Sequence, residues 1–424
     1  MPARVGESLE PIANALRRSS MIAITGVGLT TSLGVGVEPN WERLVRGETG
    51  LAPLQSIDVG DFPVRDGGED PPAPETEEFS DGEPAPAPLR HLLGVCREAL
   101  GGAQIPPVAP ERVGLSIGSS LAADGACDAF FRNVEEVGKE KADYVLLRWY
   151  NIDRHFRYLL DSLRIRGATT LVSNACAAGA GAVSRAATWL RSGRCDMAIA
   201  TGYDAFSVFT FAGFGSLMAL AENQTRPFAA DRDGMKIGAG YAALVLEPLE
   251  LARAAGREPL AVLSGYGESS DAHHLTHPHP EGLGASLAMR RALTMAGLTP
   301  EDIDAVNCHA TATPSNDSAE TMGMKSVFGA RLPEVPIYAP KPAVGHTLGG
   351  AGTVEALISV LFLRHQTIAP TLNVSPSTVD PAFETELDVV TEARRGPLRH
   401  VMSNSFGFGG SNASLILSSP EVAP

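Results

Sequence analysis

Cysteine is sparse in this 424-residue chain. There are five, Cys96, Cys127, Cys176, Cys195 and Cys308, odd in number, widely spaced and never in a CxxC pair. That pattern excludes a disulfide framework and a zinc ribbon. Basic residues are also short: 34 Lys and Arg against 49 Asp and Glu leave a formal charge of -15. A generally basic surface is excluded, and with it bulk binding to nucleic acid or an anionic membrane. An anionic partner would need a local basic patch. No run of about 18 apolar residues occurs, so no membrane span is expected. The first twenty residues lack the apolar core of a signal peptide. A soluble protein of a reducing compartment, the cytoplasm, is expected. No GxxxxGK[ST] phosphate loop is present, and the Gly-rich run ITGVGLTTSLG (24–34) does not fit GxGxxG. It reads as a strand-to-loop turn.

What is present suffices for a large core. Hydrophobic residues make up 44% of the chain, too many for a disordered protein and enough for one large or two medium domains. From Met21 onward, short β-like runs alternate with helix-like runs. Strands are expected at 22–25, 113–118, 169–173, 197–201, 243–247, 260–265, 303–309, 335–339, 387–391, 400–404 and 413–418. Helices are expected at 177–192, 284–297, 317–327 and 350–364. This alternation implies α/β layers with buried sheets. Residues 66–88 differ, holding six Pro, eight acids and no base. Proline and like charge make them a solvated loop rather than a core element, with an acidic recognition tail as the alternative. The run DAHHLTHPHP (271–280) holds four histidines. Its prolines break any helix that would align them, and no Cys completes a zinc set, so it reads as a polar loop near a functional cleft.

Three segments carry chemistry together. In LVSNACAAGAGAVSRAATWLRSG (171–193) a β-run ends at Asn174 and Cys176 opens an Ala-rich helix that stops at Gly193. A thiol on the first helical turn is expected to have a lowered pKa, and the small neighbours leave room for a substrate. In NCHATATPSND (307–317), His309 ends a strand, and Thr311 and Thr313 point the same way in extended chain. Hydroxyls so placed can hold an amide-bearing substrate arm. Cys308 should face away from whatever His309 serves. In PKPAVGHTLGGAGTVEALISVLFL (340–363), His346 stands between a glycine and a Gly-rich helix start, with Lys341 before it and Glu355 after. Two such histidines and a helix-mouth cysteine form a catalytic set.

ACAAG, HATAT, KPAVGHTLGGAG, PFAADRDG (227–234) and NSFGFGGSN (404–412) resemble the β-ketoacyl-acyl-carrier-protein synthases. The elongating KAS I/KAS II group of the thiolase superfamily is the nearest likeness, from about Met21 to Ser418. The resemblance implies an αβαβα layered α/β fold of two pseudo-duplicated halves. The Cys-bearing half is 21–256 and the His-bearing half 257–424, after an extension 1–20 of unassigned role. It implies an acyltransferase of the EC 2.3.1 type. A Cys-bound acyl chain would undergo decarboxylative Claisen condensation with malonyl-acyl carrier protein. The products would be 3-oxoacyl-carrier, CO2 and free carrier, in fatty acid or polyketide-type elongation. A subunit of an atypical polyketide or polyene heterodimer, or a non-catalytic chain-length partner, is the alternative; partners of the latter kind lack the cysteine. A thiolase would need a second Cys where NSFGFGGSN has none.

By the same resemblance, Cys176 is the nucleophile, and its N–H with that of Phe408 forms the oxyanion hole. His309 and His346 handle the malonyl thioester, while Lys341 and Glu355 order the site. Thr311 and Thr313 contact pantetheine. Leu121 and Phe214 shape the acyl pocket, and Phe408 gates it. Asn307, Glu355, Ser403 and Asn404 match a monovalent-cation site of some members; no cofactor is required. The partner is the acyl carrier protein, and the usual assembly is a homodimer, with a heterodimer as the alternative. Segment 139–166 has a local balance of +3, so Lys141, with Arg148, is expected to dock the acidic carrier. The sequence departs from the family at Ala310 for the usual glycine, at Ala122-Ala123 for Gly-Gly, and at Ala239 and Tyr241 in the usual GEGAG.

Overall fold

The computed structural model describes residues 21–60, 62–75, 84–101, 108–122, 125–383 and 385–422. The extension 1–20 and the centre of the acidic loop, 76–83, lie outside them. Two runs of the chain build the same motif. The first uses β1 (Ile22–Thr31), α1 (Ala87–Ala99), β2 (Val113–Gly118), α2 (Ile152–Leu163), β3 (Thr169–Val172), α3 (Ala178–Arg191), β4 (Met197–Asp204) and β5 (Gly240–Pro248). The second uses β6 (Ala261–Ser270), α4 (Leu283–Ala296), β7 (Ala305–Asn307), α5 (Pro314–Phe328), β8 (Ile337–Tyr338), α6 (Ala351–His365), β9 (His400–Gly407) and β10 (Ser411–Ser418).

The spatial orders are β1-β5-β4-β2-β3 and β6-β10-β9-β7-β8. In each half the first two pairings are antiparallel and the last two parallel. Ile22–Ile24 of β1 pairs with Ala261–Leu263 of β6, which fuses the halves into one sheet path. Helices α1 and α2 pack outside the first half, α4 and α5 outside the second, and α3 and α6 pack on each other between them. This is the layered, duplicated α/β architecture the resemblance implied.

Local sequence explains the layers. Central helix α6 is buried from Ala351 to Leu363, which an all-round apolar helix requires. Small residues in α3 let the central pair close to backbone contact. A Cβ on Gly352 would stand 2.3 Å from the Ala180 nitrogen.

Two expectations change here. The run 24–34 is no loop: β1 continues to Thr31 with a register shift between Ile24 and Gly26. Its glycines let α1 sit directly on the strand, since a Cβ on Gly26 would meet the Ala99 carbonyl oxygen at 1.8 Å. The stretch 387–391 forms no ladder of its own. It caps the edge of β8, with Ile337 N–H donating to Asp388 O (2.9 Å) and Val390 N–H to Ile337 O (3.0 Å). The opposite edge, β3, is partly exposed along its length.

The described ends of the acidic segment are tied into the fold. Asp66–Gly67 pairs with Ala52–Pro53, Asp66 forms an ion pair with buried Lys236, and Ala87 already begins α1.

Candidate active site

Strand β3 stops at Val172, and the chain must reverse to enter α3. Ala175 does this with φ +53°, a conformation that costs an L-residue about 1–2 kcal/mol. Its carbonyl accepts from Ala178 N–H at 2.9 Å, closing the turn. Cys176 therefore precedes the helix, whose N-cap is Ala177, rather than lying in its first turn. The cysteine is buried on the wall of a cavity of about 60 Å³.

His309 and His346 enter the same cavity from the other half of the molecule. His346 Nε2 lies 3.1 Å from Cys176 Sγ, and the two imidazoles meet edge to face at 5.3 Å. Ligating atoms of Cys176, His309 and His346 all fall within 4.8 Å of one another. Burial and the Lys341 charge hold both histidines well below the usual imidazole range, so both are neutral. Burial pushes the Cys176 thiol up to about 12, against the attraction of Lys341. The lowered pKa expected from the helix is thereby overturned: removing a thiolate from water outweighs the helix end. The resting pair is a thiol facing a neutral imidazole.

Lys341 sets the second histidine. Its Nζ donates to the His309 carbonyl, sits 3.4 Å from His309 Nδ1, and pairs with Glu355 Oε1 at 2.5 Å. An ammonium on the Nδ1 side leaves the proton of neutral His309 on Nε2. The Glu355 carboxyl is raised to about 7 by burial, with Lys341 pulling it back.

The segment after His309 is not extended. β7 ends at Asn307, and Ala310 and Ala312 take φ +40° and +61°. Two carboxylates on α5 hold this coil in place. Glu320 accepts from His309 N–H (2.9 Å) and Ala310 N–H (2.8 Å); Asp317 accepts from Ala312 N–H (3.1 Å) and Phe228 N–H (2.8 Å). Burial raises Glu320 to about 7. Thr311 and Thr313 still meet, 2.9 Å between hydroxyls, and both line the cavity. Sequence reading missed Glu320; an acid pair three residues apart on a half-buried helix was the available signal. Asp204 was missed too. Buried at the end of β4, it accepts from Ser119 Oγ, Ser120 N–H (3.0 Å), Leu121 N–H (3.1 Å) and Gly349 N–H (2.7 Å). It ties the Leu121 loop to the start of α6.

Gly407 stands against Cys176, for a Cβ there would lie 3.0 Å from the Cys176 nitrogen. Next to it the Phe408 ring meets that of Phe214 at 5.8 Å, tilted by 41°, and both line the cavity. The His-rich run contributes Thr276 and His277 to the rim, as a polar loop beside a cleft should. Cys308 is buried against Met324 on the far side. Asn307 and Ser403 are partners on adjacent strands. Asn307 Oδ1, Glu355 Oε2 and Ser403 Oγ are buried with no hydrogen-bond partner among the described residues. Asn404 turns away, accepting from Ser414 Oγ at 2.8 Å. Leu121 borders a different, larger cavity rather than that of Cys176, and half-buried Arg148 lines it too. Lys141 is exposed.

The comparisons agree with this geometry. The family descriptions "Beta-ketoacyl synthase, N-terminal domain" and "Beta-ketoacyl synthase, C-terminal domain" match residues 19–252 and 260–375. The chain is 34% identical to the mitochondrial 3-oxoacyl-[acyl-carrier-protein] synthase of Arabidopsis thaliana, over 94% of this chain and 93% of that one. It is 33% identical to 3-oxoacyl-[acyl-carrier-protein] synthase 2 of Rhizobium meliloti (strain 1021), covering 93% and 98%. The solved ishigamide ketosynthase/chain length factor superposes with a TM-score of 0.87 at 30% identity, over 95% of this chain and 99% of that one.

Proposed function

The chain belongs to the β-ketoacyl synthase family, and from that membership we propose a division of labour among its residues. The enzyme is an acyltransferase that condenses an acyl chain with malonyl-acyl carrier protein. Cys176 Sγ attacks the acyl thioester of the carrier. The new S–C bond forms, the carrier's C–S bond breaks, and the thiol proton passes through His346 Nε2 to the departing carrier thiolate. The N–H groups of Cys176 and Phe408 hold the tetrahedral oxygen.

Malonyl thioester then replaces the free carrier. Its C–C bond to the carboxylate breaks, the electron pair moves into the enolate, and CO2 leaves. His309, with its proton on Nε2, donates to the enolate oxygen, and His346 joins it once its own proton is on the cavity side. The carbanion attacks the acyl-Cys176 carbonyl, a C–C bond forms, and the C–S bond to Cys176 breaks. The thiolate recovers a proton from water by way of His346. The single observation that supports this reading is the 3.1 Å contact between the Cys176 thiol and a neutral His346.

A monovalent cation is part of the proposal. Three buried oxygens, on Asn307, Glu355 and Ser403, that have no partner among the described residues suit a hard cation. Such an ion would supply a positive charge behind the Lys341–Glu355 pair; Asn404 would contribute no side chain. Work in the cytoplasm also belongs to this reading; among the described residues no helix is long and apolar enough to cross a membrane.

A heterodimeric assembly is the second reading, favoured by the likeness to a ketosynthase/chain length factor. In such a pair this chain, with Cys176 intact, would be the ketosynthase. The test is an assay with acyl-carrier and malonyl-carrier, following both CO2 release and condensation. Cys176→Ala is expected to abolish condensation; a variant that still condenses at the normal rate would sink the nucleophile assignment.

A further inference from the structure

Behind the Cys176 pocket lies a chamber of about 420 Å³, bordered by Leu121, Phe206, Trp149, His155, Asp70 and Asp128. The space at Cys176 itself is far smaller. One apolar cluster separates the two. Phe214 and Met235 face the Cys176 side, Leu121 and Phe206 face the chamber, and all four pack together with Leu220 and Leu348.

The two residues on the chamber side are each held by a backbone N–H on a carboxylate. Leu121 N–H donates to Asp204 Oδ1 (3.1 Å), and Phe206 N–H donates to Asp70 Oδ2 (3.1 Å). The other oxygen of Asp70 accepts from the Tyr241 hydroxyl. The Phe206 ring also leans on the acidic segment, since a Cβ on Gly67 would come within 2.9 Å of its Cε2. Further ties fix that segment. Lys236 pairs with Asp66, and the His91 ring, stacked on Tyr241 at 5.0 Å, bonds the Pro71 carbonyl at 3.1 Å. Tyr241 and the acidic run are both unused by the condensation chemistry.

We propose that Asp70 and Tyr241 are positioning residues that hold Phe206 as a length filter between the two cavities. An acyl chain built on Cys176 fills the small pocket, and a longer one reaches the chamber only by displacing the Phe206 ring. The proposal rests on acyl-Cys176 as the intermediate.

The test uses carrier-bound acyl groups from acetyl to dodecanoyl, with kcat/KM measured for each. Tyr241→Phe deprives Asp70 of a donor and loosens Phe206. It is expected to raise the dodecanoyl-to-acetyl ratio by about 3–10-fold, while kcat for acetyl stays within about twofold. Phe206→Ala should raise the ratio at least as far, and the double variant should add nothing to it. A uniform loss across all acyl lengths in Tyr241→Phe, or an additive double variant, would overturn the proposal. Should Tyr241→Phe not fold, Phe206→Ala decides alone, and an unchanged ratio is fatal. Mass measurement of acetylated Cys176 in the unaltered enzyme separates the two levels. A missing adduct removes the nucleophile assignment and the filter with it, whereas a present adduct with an unmoved ratio removes only the filter.

Discussion

Cys176 is kept as a thiol. Its attraction to Lys341 is smaller than the cost of stripping water from a thiolate, so ionisation is pushed up to about 12. Below that range Sγ carries its proton, and its thiolate fraction grows about tenfold per pH unit. Alkylation of Cys176 by a small neutral electrophile should therefore climb steadily from pH 6 to pH 10. A plateau below pH 8, read by mass spectrometry of the labelled peptide, would mean a thiolate–imidazolium pair instead. The residue types at this site were legible from sequence, because Cys176, His309 and His346 each sit beside small residues at an element end. The protonation states were not, because they depend on burial and on Lys341, which lies 32 positions from His309 in the chain.

At the scale of elements, most strands and all four expected helices lie where alternation and Gly stops put them, with ends shifted by a few residues. The misreadings share one cause. Glycines in β1 signalled a turn by local propensity, yet they answer to α1, which packs on the strand from seventy residues away. Ala310 and Ala312 adopt left-handed backbone because Glu320 and Asp317 hold their amides, a constraint no local pattern displays. The central helices also meet at backbone distance. Gly352→Ala would drive a methyl into the α3 backbone at Ala180, and overpacking of this kind costs about 1–3 kcal/mol. Urea unfolding should show that loss with an unchanged slope, and a variant as stable as the parent would mean that the helices can slide apart.

For the whole molecule, the net charge of -15 excluded one class of partner but concealed how its acids are used. Asp66 pairs with buried Lys236 and Asp70 holds the Phe206 amide, so part of that charge braces the wall behind the Cys176 cavity. Duplication was visible only through resemblance, because the two halves repeat strand order and pairing sense rather than residues. Their symmetry is broken at the sheet ends. The edge at β8 is capped by residues 388–390, while among the described residues no strand pairs with the outer side of β3. Bare strand edges recruit another strand. The turn bearing Cys176 begins two residues after β3 ends, so whatever docks on that edge also braces Cys176. Catalysis should then depend on protein concentration. Specific activity is expected to fall on dilution in step with dissociation, measured by sedimentation, while the circular dichroism of the fold stays constant. Constant activity through the dissociation range would show that each chain works alone.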